Sequence, residues 1–356
     1  MGKKTILHCI YSLGRGGAET MLLATLKELT EYNHVVVTLA DDNHFAHLPG
    51  NCRHISLGMK NTKQLPLLRN NFRKLIRMEK PVLVHSHLYW PTILCRVSVR
   101  KEIPLVTTIH TSVGSAGDYK KKYIRLLDKY SFRKRPSYII AVSEGVLKDY
   151  ISLIPASSQQ AEVIYTFVDE EKIQHKINLD TEGRFRFVCT GALRVQKNME
   201  RLIQLWPDEH NGFDLDIYGD GPLKTSLEKM AAGQTAVKLK GEVDNIEEVL
   251  PQYDGYISGS AVEGFSLSIL EAMGTGIPLL LNDIASFREQ CGETATYFHI
   301  QVSKEGFLET LQKFQSQSAL RAEMAMKALE LFQQNYSRIK HINALRNIYN
   351  NQINAH

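Results

Sequence analysis

Apolar and polar positions along the chain repeat a cycle: a short apolar run, a glycine or polar turn, then a segment with apolar residues three or four apart. Residues 5–13 form a mostly apolar strand and residues 14–17 a glycine turn. Residues 18–29 read as a helix with Ala18, Met21, Leu22, Leu26 and Leu29 on one side. Short apolar runs at 35–39, 82–85, 105–109, 138–142 and 163–165 predict further buried strands, with helical patterns between them at 65–78 and 119–134. Such alternation makes a parallel sheet with helices on both faces. A polar, charged stretch at 169–183 interrupts the pattern. The cycle restarts at 185–190 and continues through 214–218, 237–239, 255–258, 278–281 and 295–298, closing with helices near 304–314, 319–334 and 337–351.

The pattern predicts an α/β protein of two doubly wound, Rossmann-like domains facing across a cleft, with ligands at the carboxyl ends of the strands. The boundaries are a first domain over 1–168, a linker over 169–184, a second domain over 185–335, and a C-terminal helix over 336–356 packing back toward the first. A length of 356 residues agrees with two cores rather than one. No apolar run approaches the roughly 20 residues that span a bilayer, and the strand-like start does not read as a signal peptide. Five scattered cysteines without a Cys-x-x-Cys pair argue against a disulfide framework or a zinc site, and for a reducing cytoplasm.

Charge divides the chain. Residues 1–182 hold 26 Lys and Arg against 17 Asp and Glu, and the remainder 17 against 21. The basic excess lies almost wholly between Asn51 and Tyr150, which suits a first domain that meets an anionic surface or substrate. No nucleic-acid motif accompanies the charge, so no nucleic acid is expected as a partner. The stretch from Tyr119 to Arg135 carries Lys120, Lys121, Lys122, Arg125, Lys129, Arg133, Lys134 and Arg135 among Tyr123, Leu126, Leu127 and Tyr130. It reads as a basic amphipathic helix fit to lie on anionic lipid, or as a solvated helix face.

The densest candidate chemistry is Ser258–Gly276. A strand ends at Ser258, a loop carries Glu263 and Gly264, and a helix starts near Ser266. The amides of Phe265, Ser266 and Leu267 would point out of the helix start, where they and the helix dipole favour a phosphate. Gly264 lets a ligand approach the backbone, and Glu271 could accept from a ribose diol. Two glutamates on an ordinary buried helix are the plain alternative. Asp214-Leu-Asp216 lies inside an apolar strand and reads as structural. The Gly14–Gly17 turn invites a dinucleotide reading, but Glu19 stands where that fingerprint needs glycine. His85 and His87 could mimic a metal pair; with no candidate third ligand they read as substrate-side polar residues.

Glu263-Gly-Phe-Ser-Leu-Ser-Ile-Leu-Glu271-Ala-Met-Gly-Thr-Gly276 closely resembles the Glu-x7-Glu signature of glycosyltransferase family 4 (group 1), retaining enzymes of GT-B fold. Gly14-Arg-Gly-Gly-Ala-Glu19 looks like that family's first-domain glycine loop, which implicates Gly16 and Gly17 in donor binding. Ala141-Val-Ser-Glu-Gly145, Val163-Ile-Tyr-Thr-Phe-Val-Asp169 and Tyr218-Gly-Asp-Gly-Pro222 are similar to further family segments. The resemblance implies that Glu271 binds the ribose and that Glu263 contacts the donor sugar. It gives the diphosphate to the amides of Phe265, Ser266 and Leu267, and to Lys197. His110, after the strand at 105–109, corresponds to the family histidine near the reacting sugar. The usual Gly-Arg-Leu puts arginine where this chain has Ala192; Arg194 is expected to take over that clamp.

The implied reaction moves a sugar from a nucleoside diphosphate sugar, UDP- or GDP-linked, to a hydroxyl with retention. No metal and no cofactor are expected, and the acceptor is a glycan or lipid-linked sugar of surface-polysaccharide assembly. The place of work is the cytoplasm, peripheral at the inner face of the membrane. A nucleotide-sugar epimerase of the same architecture and a basic nucleic-acid-binding protein are the alternative readings.

Overall fold

The computed structural model describes residues 2–14, 16–45, 47–114, 117–154, 156, 160–176 and 183–355. The chain forms two units, Met1–Thr166 with Ile339–His356, and Phe167–Arg338. The stretch read as a linker thus belongs to the second unit as far as it is described, and residues 177–182 lie outside the described residues.

In the first unit the strands are β1 (Thr5–Ile10), β2 (Asn33–Thr38), β3 (Cys52–Ser56), β4 (Leu83–His87), β5 (Leu105–Ile109), β6 (Tyr138–Ala141) and β7 (Ala161–Val163). All pairings are parallel, in the order β3-β2-β1-β4-β5-β6-β7. Helices α1 (Gly17–Glu28), α2 (Leu65–Glu79), α3 (Tyr89–Ser98), α4 (Lys122–Lys134) and α5 (Glu144–Leu153) connect them. Local chemistry fixes their ends. The Ser143 hydroxyl accepts from the Val146 amide to start α5, and Lys80 closes α2 in the left-handed conformation, φ 46°. The predicted helix over 119–134 begins later, at Lys122, because Gly117–Lys120 forms a tighter 3-10 turn.

The second unit repeats the plan with β8 (Phe185–Thr190), β9 (Phe213–Tyr218), β10 (Val237–Gly241), β11 (Gly255–Ser258), β12 (Leu279–Asn282) and β13 (Thr296–Phe298). Their order is β10-β9-β8-β11-β12-β13, again all parallel. Its helices are α6 (Met199–Leu205), α7 (Lys224–Ala231), α8 (Ile246–Val249), α9 (Leu267–Thr275), α10 (Ala285–Cys291), α11 (Lys304–Ser316) and α12 (Ser318–Asn335). The last helix, α13 (Arg338–Asn354), returns to the first unit, where Tyr349 is fully buried.

The central strands β1, β4, β8 and β11 are buried along nearly their whole length, with both faces of the sheet covered. Leu7, Val35, Val37 and Val84 centre the first core, and Phe185, Phe187, Trp206 and Phe213 the second. Each sheet reverses direction between its first strand and the strand that follows the outer two. That reversal opens a crevice at the carboxyl ends of β1 and β4, and of β8 and β11.

Candidate active site at the strand ends

In the second unit the crevice is built by glycines that let backbones touch. A side chain at Gly219 (φ 149°) would put its first carbon 2.0 Å from the Gly191 carbonyl oxygen, and one at Gly221 (φ 157°) 2.7 Å from that of Leu193. Hydrogen bonds from Gly191 N to Tyr218 O (3.0 Å) and Leu193 N to Asp220 O (2.9 Å) lock the β8 exit onto this turn. The Tyr218-Gly-Asp-Gly-Pro222 motif is therefore a clasp for the loop that carries Arg194 and Lys197. Beyond it, Val195–Lys197 makes a 3-10 turn and Asn198 (φ 54°) leads into α6. Gln196 O accepts from Ala261 N at 2.9 Å, tying the loop to the β11 exit.

This clasp brings Lys197 and Glu263 together. Nζ and Oε1 stand 2.8 Å apart with both side chains partly open to solvent. The contact is one of charge only, since Oε1 takes no aligned hydrogen bond from a described residue. Arg194 is exposed, and its side chain has no partner among the described residues. Glu271 lies half-buried on α9. Burial pushes its carboxyl up to about 8; the charge of Glu247 adds to this and that of Lys197 opposes it.

The helix start differs from expectation at one residue. The Ser266 amide does not point outward free: it donates to Oε1 of Gln290 at 3.1 Å, and Gln290 Nε2 returns a bond to Ser266 O at 2.8 Å. Gln290 is fully buried on α10, so this exchange cross-braces the helix start instead of offering a donor. Leu267, next in the chain, begins α9. Phe265 is buried with its ring edge-on to Tyr336, 5.2 Å between centroids, and Gly264 is buried beside it. Gln290 was missed in the sequence because 24 residues separate it from its partner. Asp214 and Asp216 are structural: Arg184 pairs with the first at 2.7 Å, and Tyr253 donates to the second at 2.6 Å.

In the first unit, Gly16 precedes α1 in extended conformation and Gly17 is its first residue; Arg15 lies outside the described residues. A cavity of about 410 Å³ opens at the carboxyl ends of the strands, lined by Tyr11, Leu88, Trp90, His110, Tyr119 and Tyr150 among others. Leu88 sits on its rim at φ 67°, a conformation costly for a branched side chain and held by the surrounding fold. Behind the wall, Arg96 and Asp128 form a sealed ion pair. Tyr150 accepts from Arg96 at 3.0 Å, and the Tyr119 hydroxyl donates to Asp128. His110 is half-buried, with Nε2 3.3 Å from His87 Nδ1. Burial and then the neighbouring His341 pull it down to about 4, so its ring is neutral at neutral pH.

His85 and His87 are not solvent-facing polar residues at a substrate surface. Both are buried, at 2% and 4% exposure, on the sheet face that packs against α1 and α13. The missing third partner is also present: His8, on β1, pairs in register with His85.

Helix α4 buries Ile124, Asp128, Ser131 and Phe132 and leaves Tyr123, Leu126 and Tyr130 exposed by 59%, 66% and 62%. These three share a face with the exposed cations of the same stretch, an outward surface both apolar and basic. No helix among the described residues is long and apolar enough to cross a membrane.

Comparison with known proteins agrees on one kind of enzyme. The model of Glycosyltransferase Family 4 matches residues 15–172, and that of Glycosyl transferases group 1 matches residues 169–330. The chain is 24% identical over 314 residues to the N-acetylgalactosamine-N,N'-diacetylbacillosaminyl-diphospho-undecaprenol 4-alpha-N-acetylgalactosaminyltransferase of Campylobacter jejuni, covering 83% of this chain and 86% of that one. It is 25% identical to the GtfA subunit of the UDP-N-acetylglucosamine–peptide N-acetylglucosaminyltransferase of Streptococcus pneumoniae, over 44% of this chain. There it spans only 31% of the relative's length. Among solved structures, Anabaena Alr3699/HepE in complex with UDP and glucose superposes with a TM-score of 0.81 at 16% identity, covering 98% of this chain and 100% of the other.

Proposed function

The chain belongs to the glycosyltransferases of family 4 and group 1 and has the GT-B fold, and from that premise we propose a specific reaction. It moves a sugar from a UDP-sugar to a hydroxyl of a lipid-linked glycan in surface-polysaccharide assembly, with retention of anomeric configuration and without a metal at the diphosphate. The observation that carries this reading is the second unit's strand-end crevice: a paired Lys197 and Glu263, an unpaired Arg194 in the same loop, and a half-buried Glu271 one helix turn on. The UDP-linked donor of the Streptococcus pneumoniae relative and the diphospho-undecaprenol acceptor of the Campylobacter jejuni relative support the two substrate classes.

An arriving diphosphate competes with Glu263 for Lys197. The freed carboxylate then turns to the sugar hydroxyls, and Arg194 closes on the phosphates from the same loop. Charge developing on the departing diphosphate is met by the two cations and the amide end of α9. Among the described residues no side chain is placed as a covalent nucleophile, and in this reading the acceptor oxygen attacks from the leaving-group side while the departing phosphate takes its proton. Neutral His110, at the mouth of the first unit's cavity, hydrogen-bonds a sugar hydroxyl rather than supplying a charge. The acceptor's lipid end lies in the membrane against the outward face of α4, where each cation contributes about 1 kcal/mol near an anionic surface.

Incubation with UDP-sugars and undecaprenyl-diphosphate-linked sugars, in buffer without magnesium or manganese, is the test. The expected product is one extended glycolipid with an α linkage and one UDP per transfer. Interconversion of UDP-sugars without acceptor would make the chain an epimerase instead, and strict dependence on added magnesium or manganese would overturn the metal-free clamp. Vesicles containing phosphatidylglycerol should bind the wild type and release it as salt rises. A Lys120→Glu, Lys121→Glu, Lys122→Glu variant that binds them equally would remove α4 from the membrane role.

A further inference from the structure

Against the first unit's sheet face lies a second cavity of about 30 Å³, lined by His8, His85, His87, His110 and His341 together with Tyr349. Three of these rings come from neighbouring strands: His8 on β1 stands opposite His85 on β4, and His87 follows two residues later on the same face. All three are buried, and one nitrogen from each can be chosen so that the set lies within 4.8 Å of one another.

Hydrogen bonds determine which nitrogen of His8 is available. His34 Nε2 lies 2.9 Å from the Leu29 carbonyl, so that nitrogen carries the proton and donates. His34 Nδ1 is then an acceptor, and His8 Nε2, 3.1 Å away, must donate to it. His8 Nδ1 is left with a bare lone pair, buried and without a partner among the described residues. His87 shows the same pattern: Nδ1 faces His110 Nε2 at 3.3 Å, and Nε2 is buried without a partner. A buried polar atom left unsatisfied costs about 1–3 kcal/mol, and two around one cavity mark a place for a bound species. A ligating histidine whose other ring nitrogen is hydrogen-bonded toward a backbone carbonyl or a neighbouring ring is how metal sites orient their ligands.

We propose that His8, His85 and His87 form a zinc site in the first unit, closed by one water. Three imidazole nitrogens without a carboxylate suit zinc and its neighbours, and not magnesium or calcium, which require oxygen ligands. The cavity exceeds the ~10–15 Å³ that one water needs, so metal and water fit together. His85 exchanges one of its two hydroxyl partners, Thr108 Oγ1 at 2.7 Å or Tyr349 at 2.6 Å, for the metal; the released hydroxyl turns to the water. His110 also lines the open 410 Å³ cavity, which gives the ion a way in. The site pins β1 to β4.

Tag-free full-length protein, stripped of metal and titrated with ZnCl2, should take up one equivalent and gain about 5 °C or more in Tm. CoCl2 in its place should give the visible absorption of a four-coordinate site of three nitrogens and one oxygen. X-ray absorption on the zinc form should show light nitrogen or oxygen neighbours at about 2.0–2.1 Å with the multiple-scattering signature of three imidazoles. His8→Gln and His87→Gln, checked for folding by circular dichroism, should each weaken uptake at least tenfold, whereas His44→Gln on the surface should not. Absence of saturable uptake by the wild type, or a zinc spectrum without imidazole scattering, would overturn the site without recourse to any variant. Retention of full affinity by folded His8→Gln would do the same.

Discussion

Each unit has an ion pair beside its candidate chemistry, and the two pairs are opposites. Arg96 and Asp128 in the first unit are exposed by 0% and 1%; every oxygen of Asp128 is hydrogen-bonded, by Arg96, Tyr119 and Tyr150. Lys197 and Glu263 in the second are exposed by 21% and 13% and hold each other by charge alone. A sealed, saturated pair has no capacity left for a ligand; its work is to fix the wall of the 410 Å³ cavity. An open and under-bonded pair stores two charges that a diphosphate and a sugar can claim. The first six strands run in the same parallel order in both units, so the difference in chemistry comes from the side chains on the segments between strands.

The largest effect expected from breaking this contrast is on the sealed side. Asp128→Ala leaves Arg96 charged and buried without a counter-ion, which should cost about 3–5 kcal/mol of stability. Denaturant unfolding of the variant checks it, and a loss under about 1 kcal/mol would mean that the pair is dispensable to the wall. Lys197→Ala should cost less than about 1 kcal/mol in the same measurement but lower turnover about a hundredfold or more. Arg194→Ala, which removes a charged hydrogen bond of roughly 1.5–3 kcal/mol, should lower turnover about ten- to hundredfold. Wild-type kinetics from Arg194→Ala beside a crippled Lys197→Ala would make Arg194 a solvated loop residue.

How much of this contrast was legible in the sequence follows from range. Buried strands such as β5 and β11 announce themselves as apolar runs, and the predicted spans 105–109 and 255–258 coincide with theirs. Strand β3 went unread because Cys-Arg-His-Ile-Ser sits at a sheet edge, half-exposed, with no apolar run to mark it. Lys197, Glu263 and Glu271 were legible because a motif carries them. The Ser266–Gln290 brace and the approach of His8 to His85 were not, since each depends on register between elements far apart in the chain. The same holds for Arg96 and Asp128, 32 residues apart and each unremarkable in its own helix.

Glu271 sharpens the contrast most finely, because its protonation can be followed. In the free protein, burial holds the carboxyl near 8, so at pH 7 most molecules carry it neutral. A ribose diol donates hydrogen bonds, and these favour the carboxylate over the acid. Donor binding must therefore expel a proton, and affinity rises with pH until the free carboxyl is itself ionised. If only the carboxylate binds well, the ionised fraction grows about tenfold between pH 7 and pH 9, and the Kd should fall by the same factor. The intact UDP-sugar is the right probe, because its diphosphate diester keeps a constant charge over that range. His110, pulled down to about 4 by burial and by His341, contributes no titration over that range. Calorimetry in two buffers of different ionisation enthalpy should count nearly one proton released per donor bound at pH 7. Glu271→Gln should abolish both the release and the slope while weakening binding at pH 9 about tenfold. A wild-type Kd that stays flat from pH 7 to pH 9, or a slope that survives in Glu271→Gln, would take the ribose contact away from this residue.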